Sequence, residues 1–449
     1  MSERLKEKIR SKKARIAVVG LGHVGLPTAA ILADAGYSVT ATDVKSEVVN
    51  AISSLKLNTQ EPGLQEMVGK VVEAGKLKAS VDTILATREA DVVLICVQTP
   101  VNESGEPDLS YLERASRHVG KGLTKGKLVI VASTVPPGTV KKLVASILKR
   151  ESGLKFGDFW LAHCPERILP GKTMQEFAQN DRIIGGFNLE GAEIAAELFK
   201  SVTRGKILIA DCLNTEVAKL AENTFRDVNI AYANELALIC ERVGADITEV
   251  IGLANTHPRV DIHRPTCGVG GPCLVKDPYL LLHSLKKRGY DSRLIRSSRE
   301  LNDYMPDHTV KLLVKTLKKA DKNVKSSKIV VLGTAYKGEV GDPTNSPAEK
   351  IICRLMDLGA QVVVYDPYCK ESFGAERVED LLKAVDRADC VLVTTDHKIF
   401  EELNLEQIKT LMNKTPIIVD GKRILNPKNV ENQGFTYSGI GYGSTQTYN

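Results

Sequence analysis

Arg15-Ile16-Ala17-Val18-Val19-Gly20-Leu21-Gly22-His23-Val24-Gly25 is the stretch that decides the fold. The run before Gly20 is short, apolar and rich in β-branched residues, so it reads as a buried strand. Small and apolar residues from Val24 to Ala35 read as a helix packed on a sheet. Between them lies G-x-G-x-x-G, and each glycine has its own job. Gly20 permits the tight turn, Gly22 lets backbone approach a pyrophosphate, and Gly25 lets helix and strand pack closely. The helix start at His23 and Val24 supplies amide donors and a favourable dipole. A second strand, Ser38 to Thr42, ends at Asp43, about 20 residues past the turn, where the fingerprint expects an acid. A carboxylate there accepts from both ribose hydroxyls and repels a 2′-phosphate, so the expected cofactor is NAD, not NADP.

Working outward, further apolar runs fit strands at Val92–Val97, Leu128–Ala132, Asp158–Ala162, Ile183–Gly185 and Ile207–Ile209. Helix-like stretches lie between most of them, which predicts a mostly parallel sheet. From Thr215 to Arg242 the chain is amphipathic and free of Pro and Gly, so one long helix is expected. More helices are expected at 246–254, 276–288 and 292–304. A second alternating region starts at Lys328, with strands near Ile329–Gly333, Gln361–Tyr365, Cys390–Thr394 and Ile417–Asp420. The fold class is therefore α/β: two Rossmann-like parallel-sheet domains joined by a helical middle domain with one long helix. The expected ranges are 12–210, 211–305 and 320–435. Residues 432–449 are polar and rich in Gly and Tyr, and are expected to be loosely held.

Bulk properties exclude several classes. A length of 449 residues favours two or three domains, and 43% hydrophobic with 26% charged residues is ordinary for a soluble protein with real cores. A formal charge of +6 fits an anionic small substrate and gives no sign of a nucleic-acid partner. The basic runs Arg4–Arg15 and Lys311–Lys328 read as solvated faces. The nine cysteines show neither metal-like nor disulfide-like spacing, which points to a reducing compartment. No apolar run reaches the ~18–20 residues of a membrane helix, and the N-terminus lacks the apolar core of a signal peptide. A cytoplasmic enzyme without a membrane partner is expected. No metal is expected either, since His163 and Cys164 are neighbours without further ligands.

Five places carry chemistry. Val97-Gln98-Thr99-Pro100 and Ser133-Thr134-Val135-Pro136-Pro137-Gly138 each follow a strand, where carboxyl ends line a cofactor crevice; ordinary turn chemistry accounts for them equally well. Glu166, just past a strand, reads either as a general base in a cleft or as a surface acid. Lys219 and Asn223 share one face of the long helix, either as oxyanion donors or as a solvated stripe. Cys273 follows Gly268, Gly270 and Gly271 and precedes a helix beside Lys276. That setting favours thiolate, and the glycines suit close approach of a substrate. A buried, inert cysteine is the competing reading. Cys96, Cys240, Cys353 and Cys390 fall in apolar patterns and read as core.

Six separated motifs in this order resemble the UDP-glucose/GDP-mannose dehydrogenase family. They are GLGHVGLP (20–27), STVPPGT (133–139), PERILPG (165–171), the Glu216–Glu235 helix, GVGGPCLVKDP (268–278) and GTAYKGEVGDPTNSP (333–347). The resemblance covers roughly 14–430 and implies oxidation of the C6 alcohol of a nucleotide sugar to a carboxylate with two NAD. It implies Cys273 as nucleophile, Lys219 and Asn223 as oxyanion stabilisers, and Asp277 in support near the thiol. Glu166 would activate the hydrolytic water, with Thr134 holding it. It places Gly20, Gly22, His23, Val24, Gly25, Asp43, Thr99 and Thr134 at the cofactor. Glu166, Arg167, Ile168, Leu169, Lys219, Asn223, Gly270, Tyr336, Lys337 and Arg423 are implied at the UDP-sugar. Arg259 is implied to reach a neighbouring subunit's substrate, in a homodimer or higher homo-oligomer built on the central helix.

The resemblance also ranks substrates. PERILPG and HPRV (257–260) are similar to the branch acting on UDP-N-acetylmannosamine and its N-acetylglucosamine relatives. Pro272 stands where that branch usually has His, and Cys-x-x-Lys-Asp at 273–277 looks more like the glucose enzymes. Thr344 stands where the family often has Arg. The expected order is UDP-N-acetyl-D-mannosamine, UDP-N-acetylglucosamine, then UDP-glucose. Two rivals remain: a two-electron hydroxyacid-type dehydrogenase, which needs no Cys273, and a non-catalytic NAD-binding regulator.

Overall fold

The computed structural model describes residues 1–443 except 58, 60, 103, 287 and 288. The chain forms two compact units, Met1–Glu222 with Tyr279–Asp291 and Asn223–Pro278 with Ser292–Asn449.

The first unit holds an eight-stranded sheet: β1 (Arg15–Val19), β2 (Ser38–Thr42), β3 (Leu77–Ser80), β4 (Val92–Ile95), β5 (Leu128–Val131), β6 (Trp160–His163), β7 (Arg182–Gly186) and β8 (Ile207–Asp211). Its spatial order is β3-β2-β1-β4-β5-β6-β7-β8. Among the described strand pairs of this sheet, β6–β7 alone is antiparallel. Every residue of β4 and β5 is buried, as expected of parallel strands covered on both faces. The order turns back between β1 and β4, which opens a crevice beyond their carboxyl ends.

The N-terminal basic run presents the solvated face expected of it, since its basic residues are exposed or half-buried. It forms helix Ser2–Arg10, with Leu5 and Ile9 buried. Lys6 and Arg10 pair with Glu193 and Glu197, and Lys8 with Asp91. Two apolar residues four apart dock the helix, and its charges meet acids on the surface beneath.

The second unit holds six parallel strands: β9 (Lys328–Leu332), β10 (Gln361–Tyr365), β11 (Glu376–Arg377), β12 (Cys390–Val393), β13 (Ile417–Asp420) and β14 (Thr436–Gly439). Their order is β11-β10-β9-β12-β13-β14. The two mostly parallel sheets and the helical middle region agree with the sequence expectation. The long helix is Cys212–Val243, and shorter ones run Ile247–Ala254 and Asp277–Lys286.

Three details depart from it. The helix expected to stop at 304 runs from Arg293 to Lys319 through Pro306. Burial of Met305, Val310, Leu313 and Leu317 along one stripe outweighs the roughly 3 kcal/mol a mid-helix proline costs. The tail expected to be loose supplies β14, and Phe435, Tyr437 and Ile440 are buried; residues 444–449 lie outside the described residues. Cys353 is exposed, because helix Pro347–Asp357 turns Ile351, Ile352 and Leu355 inward instead. Among the described residues no helix is long and apolar enough to cross a membrane.

Candidate active site

The glycine turn has the geometry its sequence demands. Gly20 has φ +91°, a left-handed conformation. A Cβ on Gly25 would lie 1.8 Å from the Gly20 carbonyl oxygen, so only glycine lets the helix sit this close to the strand end. Among the described residues, a Cβ on Gly22 would meet nothing within 4 Å. That open space beside a helix N-terminus fits a pyrophosphate. His23 is exposed and Val24 half-buried. Asp43 Oδ2 accepts from the Leu21 amide at 2.9 Å, tying the end of β2 to the turn. These residues fit NAD.

The loops after β4 and β5 are braced together. Ser133 Oγ donates to the Val97 carbonyl and Thr99 Oγ1 to the Thr134 carbonyl, both at 2.6 Å. Beyond β6, Glu166 lies in a nearly buried ion pair with Arg182 at 3.5 Å, and its other oxygen accepts from the Arg167 amide at 2.8 Å. Arg182 stacks over Phe177, 3.9 Å from the ring centroid. Arg167 pairs with Glu222 through two nitrogens, at 2.8 and 3.1 Å. Ile168 and Leu169 are half-buried, and the Leu169 amide donates to Glu176. Glu61 accepts from the amides of Gly171 and Thr173, closing the segment.

Lys219 is buried on the long helix. Below it His163 is fully buried, with Nδ1 2.9 Å from Thr215 Oγ1. Burial holds this imidazole neutral, its pKa lowered to about 4, and the Lys219 charge adds to the effect. One turn before Lys219, the Glu216 carboxylate is also buried and accepts two loop amides.

In the second unit, Cys273 is exposed. Its carbonyl accepts from the amides of Lys276 and Asp277 at 3.0 and 2.9 Å, closing a turn at the start of helix Asp277–Lys286. The Asp277 carboxylate, 1% exposed, accepts from Asn223 Nδ2 at 2.6 Å. Cys273, Asp277 and Asn223 are thus gathered in one place. Lys276 lies 3.6 Å from Asp277.

The glycines before Cys273 do something other than expected. A Cβ on Gly270 would lie 2.6 Å from the Asn345 carbonyl, and one on Gly271 would lie 2.7 Å from the Tyr336 ring. The space beside them is filled by protein, so they seat the cysteine loop on Tyr336 and Asn345. Burial, with Asp342 and Cys273 adding, pushes the Tyr336 hydroxyl up to about 12, so it stays a donor. Lys337 is half-buried beside it. Arg423 also departs from expectation. It is buried, bonded twice to Asp246 at 2.9 Å and once to the Ile440 carbonyl at 3.1 Å. This guanidinium is committed inside the unit, not offered to a ligand. Arg259 is exposed on the loop after helix Ile247–Ala254.

Sequence reasoning missed Glu216 and Arg182. Arg182 left no local signal. Glu216 did: a carboxylate three and seven residues before the Lys219–Asn223 pair on one helix face. Among the described residues no group of three or more His, Cys, Asp or Glu is placed to hold a metal ion.

The chain matches three domains described for the UDP-glucose/GDP-mannose dehydrogenase family: the NAD binding domain over 14–203, the central domain over 214–304 and the UDP binding domain over 330–427. It is 44% identical to the UDP-N-acetyl-D-mannosamine dehydrogenase of Pyrococcus horikoshii, over 96% of this chain and 99% of that one. The solved structure of the UDP-D-ManNAc dehydrogenase from that organism superposes with a TM-score of 0.89 at 43% identity, covering 96% and 99% of the two chains. A UDP-glucose dehydrogenase from Pyrobaculum islandicum superposes with a TM-score of 0.87 at 28% identity, covering 96% and 98%.

Proposed function

Because this chain belongs to the UDP-glucose/GDP-mannose dehydrogenase family, we propose that it oxidises the C6 hydroxyl of UDP-N-acetyl-D-mannosamine to the uronate through a covalent intermediate on Cys273. NAD is its coenzyme and, when bound at the glycine turn, accepts one hydride in each of the two oxidations.

The residues divide the work as follows. Lys219 and Asn223 stabilise the alkoxide as the C6 alcohol gives its hydroxyl proton to water and loses a hydride to become an aldehyde. The Cys273 thiolate adds to that aldehyde, forming a C–S bond and a hemithioacetal oxyanion held by the same donors. Loss of a second hydride leaves a thioester. Water, held by Thr134 and deprotonated by Glu166, attacks the thioester carbonyl; the C–S bond breaks, giving the carboxylate and the free thiolate. Arg182 and the Arg167 amide fix Glu166 for this step. Arg167, Ile168, Leu169, Tyr336 and Lys337 are assigned to the UDP-sugar, and Arg259 to the substrate of a second copy; Gly270, packed on Asn345, is left out of that set.

The observation that carries the reading is the exposed Cys273 at a turn bonded to Asp277, whose carboxylate holds Asn223. The substrate choice is supported by the relative at 44% identity, against 28% for the glucose enzyme. A homo-oligomer on the long helix is supported by exposed Phe225, Tyr232 and Ile239, which recur every seven residues. A panel of UDP-sugars followed by NADH absorbance tests the proposal. It predicts two NADH per sugar and the highest kcat/KM on the mannosamine sugar. One NADH per sugar would identify a two-electron dehydrogenase, and equal rates on glucose and acetamido sugars would overturn the substrate assignment.

A further inference from the structure

Glu216 is 1% exposed, and both its carboxylate oxygens accept from backbone amides of a single loop. Oε2 takes Gly138 at 2.5 Å and Oε1 takes Val140 at 2.7 Å. This loop follows β5, on the crevice edge of the sheet. Ser133 and Thr99 brace it to the loop after β4. The two crevice loops are thus hydrogen-bonded to each other, and Glu216 links them to the long helix. Glu216, Lys219 and Asn223 are spaced three and four residues apart, so they share a helix face.

We propose that Glu216 is a positioning residue, whose carboxylate keeps the 133–140 loop in register with the helix carrying Lys219, so that filling the coenzyme crevice and placing the ammonium are one coupled event. This rests on the roles given above to the crevice and to Lys219.

The chemistry of the link calls for a carboxylate. Two N–H donors need two acceptor oxygens. A Gln offers one and turns an NH₂ group toward the other donor. A protonated Glu has the same fault, because its O–H faces an N–H. Burial pushes this carboxyl up to about 7, Asp211 adds to the rise, and the two amides and Lys141 oppose it. Cys212 at the helix start is pushed up to about 12 and stays neutral. The link therefore holds above neutral pH and slackens as Glu216 takes up a proton below it.

Glu216→Gln is the test, with NAD affinity, kcat, KM and melting temperature measured from about pH 6 to about pH 8.5. At the upper pH the variant is expected to bind NAD about fivefold more weakly. Its kcat should fall about tenfold, with KM for the sugar nearly unchanged. Wild-type NAD affinity should fall toward the variant's on acidification, while the variant's stays level. A variant that only melts lower, with wild-type NAD affinity and kcat at 25 °C, overturns the proposal, and so do parallel pH profiles. Should the variant not fold, amide exchange of residues 133–144 in the wild type decides: NAD must slow it, and less so at the lower pH, or the idea is wrong. The NAD arm needs no sugar turnover. An enzyme inactive on every UDP-sugar would therefore defeat the functional reading and still leave Glu216 judged.

Discussion

Arg299→Met should cost the second unit a large part of its stability, and the loss should depend on pH in a definite direction. Arg299 Nη1 lies 2.6 Å from Asp227 Oδ1, with side chains 3% and 0% exposed. Asn302 Nδ2 donates to the same oxygen at 2.9 Å, and among the described residues Asp227 Oδ2 has no hydrogen-bond partner. Removing the guanidinium leaves a carboxylate buried without its cation. That costs about 3–5 kcal/mol, or a fall in Tm of about 6–20 °C for a unit of this size. Burial already raises the Asp227 pKa against the pull of Arg299. Without Arg299 it rises further above the unfolded value. A carboxyl raised in the fold contributes its stability below the unfolded pKa and loses it as pH climbs. The gap between wild type and variant should therefore narrow from about pH 8 to about pH 5. Adding Asp227→Leu removes the orphaned charge and should recover much of the loss. Calorimetry of the three proteins at both pH values checks this. A loss under about 1 kcal/mol, or one equal at both pH values, would refute the reasoning.

Other outcomes follow from the same geometry. Gly22→Ala should fold with an unchanged Tm, because its Cβ enters open space, yet bind NAD about tenfold or more weakly, since that space is assigned to the pyrophosphate. Gly25→Ala should lower Tm sharply, because its Cβ would collide with the Gly20 carbonyl. Phe225→Asp, at a side chain 63% exposed, should leave Tm nearly unchanged below the concentration of assembly and halve the mass seen by light scattering. An unchanged mass would remove the long helix from the interface.

The parts legible in the sequence were those whose signal is local. The glycine turn, its helix and Asp43 fall within one βαβ unit, and each residue type has one physical reason to be there. The long helix announced itself by the absence of Pro and Gly. What stayed hidden depends on partners far along the chain. Glu216 meets Gly138 from 78 positions away, and Arg299 meets Asp227 from 72; alone, Arg299 looks like a solvated helical charge, and Glu216 shows only that it shares a face with Lys219 and Asn223. Pro306 misled because local propensity says stop, while the buried stripe after it says continue. Gly270 and Gly271 misled for a related reason. A glycine reports that something comes close, and the sequence does not say whether that is a ligand or, as here, Tyr336 and Asn345.

The most direct measurement is acid quench of the working enzyme during steady turnover, followed by mass spectrometry of the peptide bearing Cys273. A uronyl adduct on that sulfur, discharged by hydroxylamine and missing from Cys273→Ala, is the predicted result. Two NADH released per sugar with Cys273 unmodified throughout, or with Cys273→Ala forming acid at the wild-type rate, would contradict it.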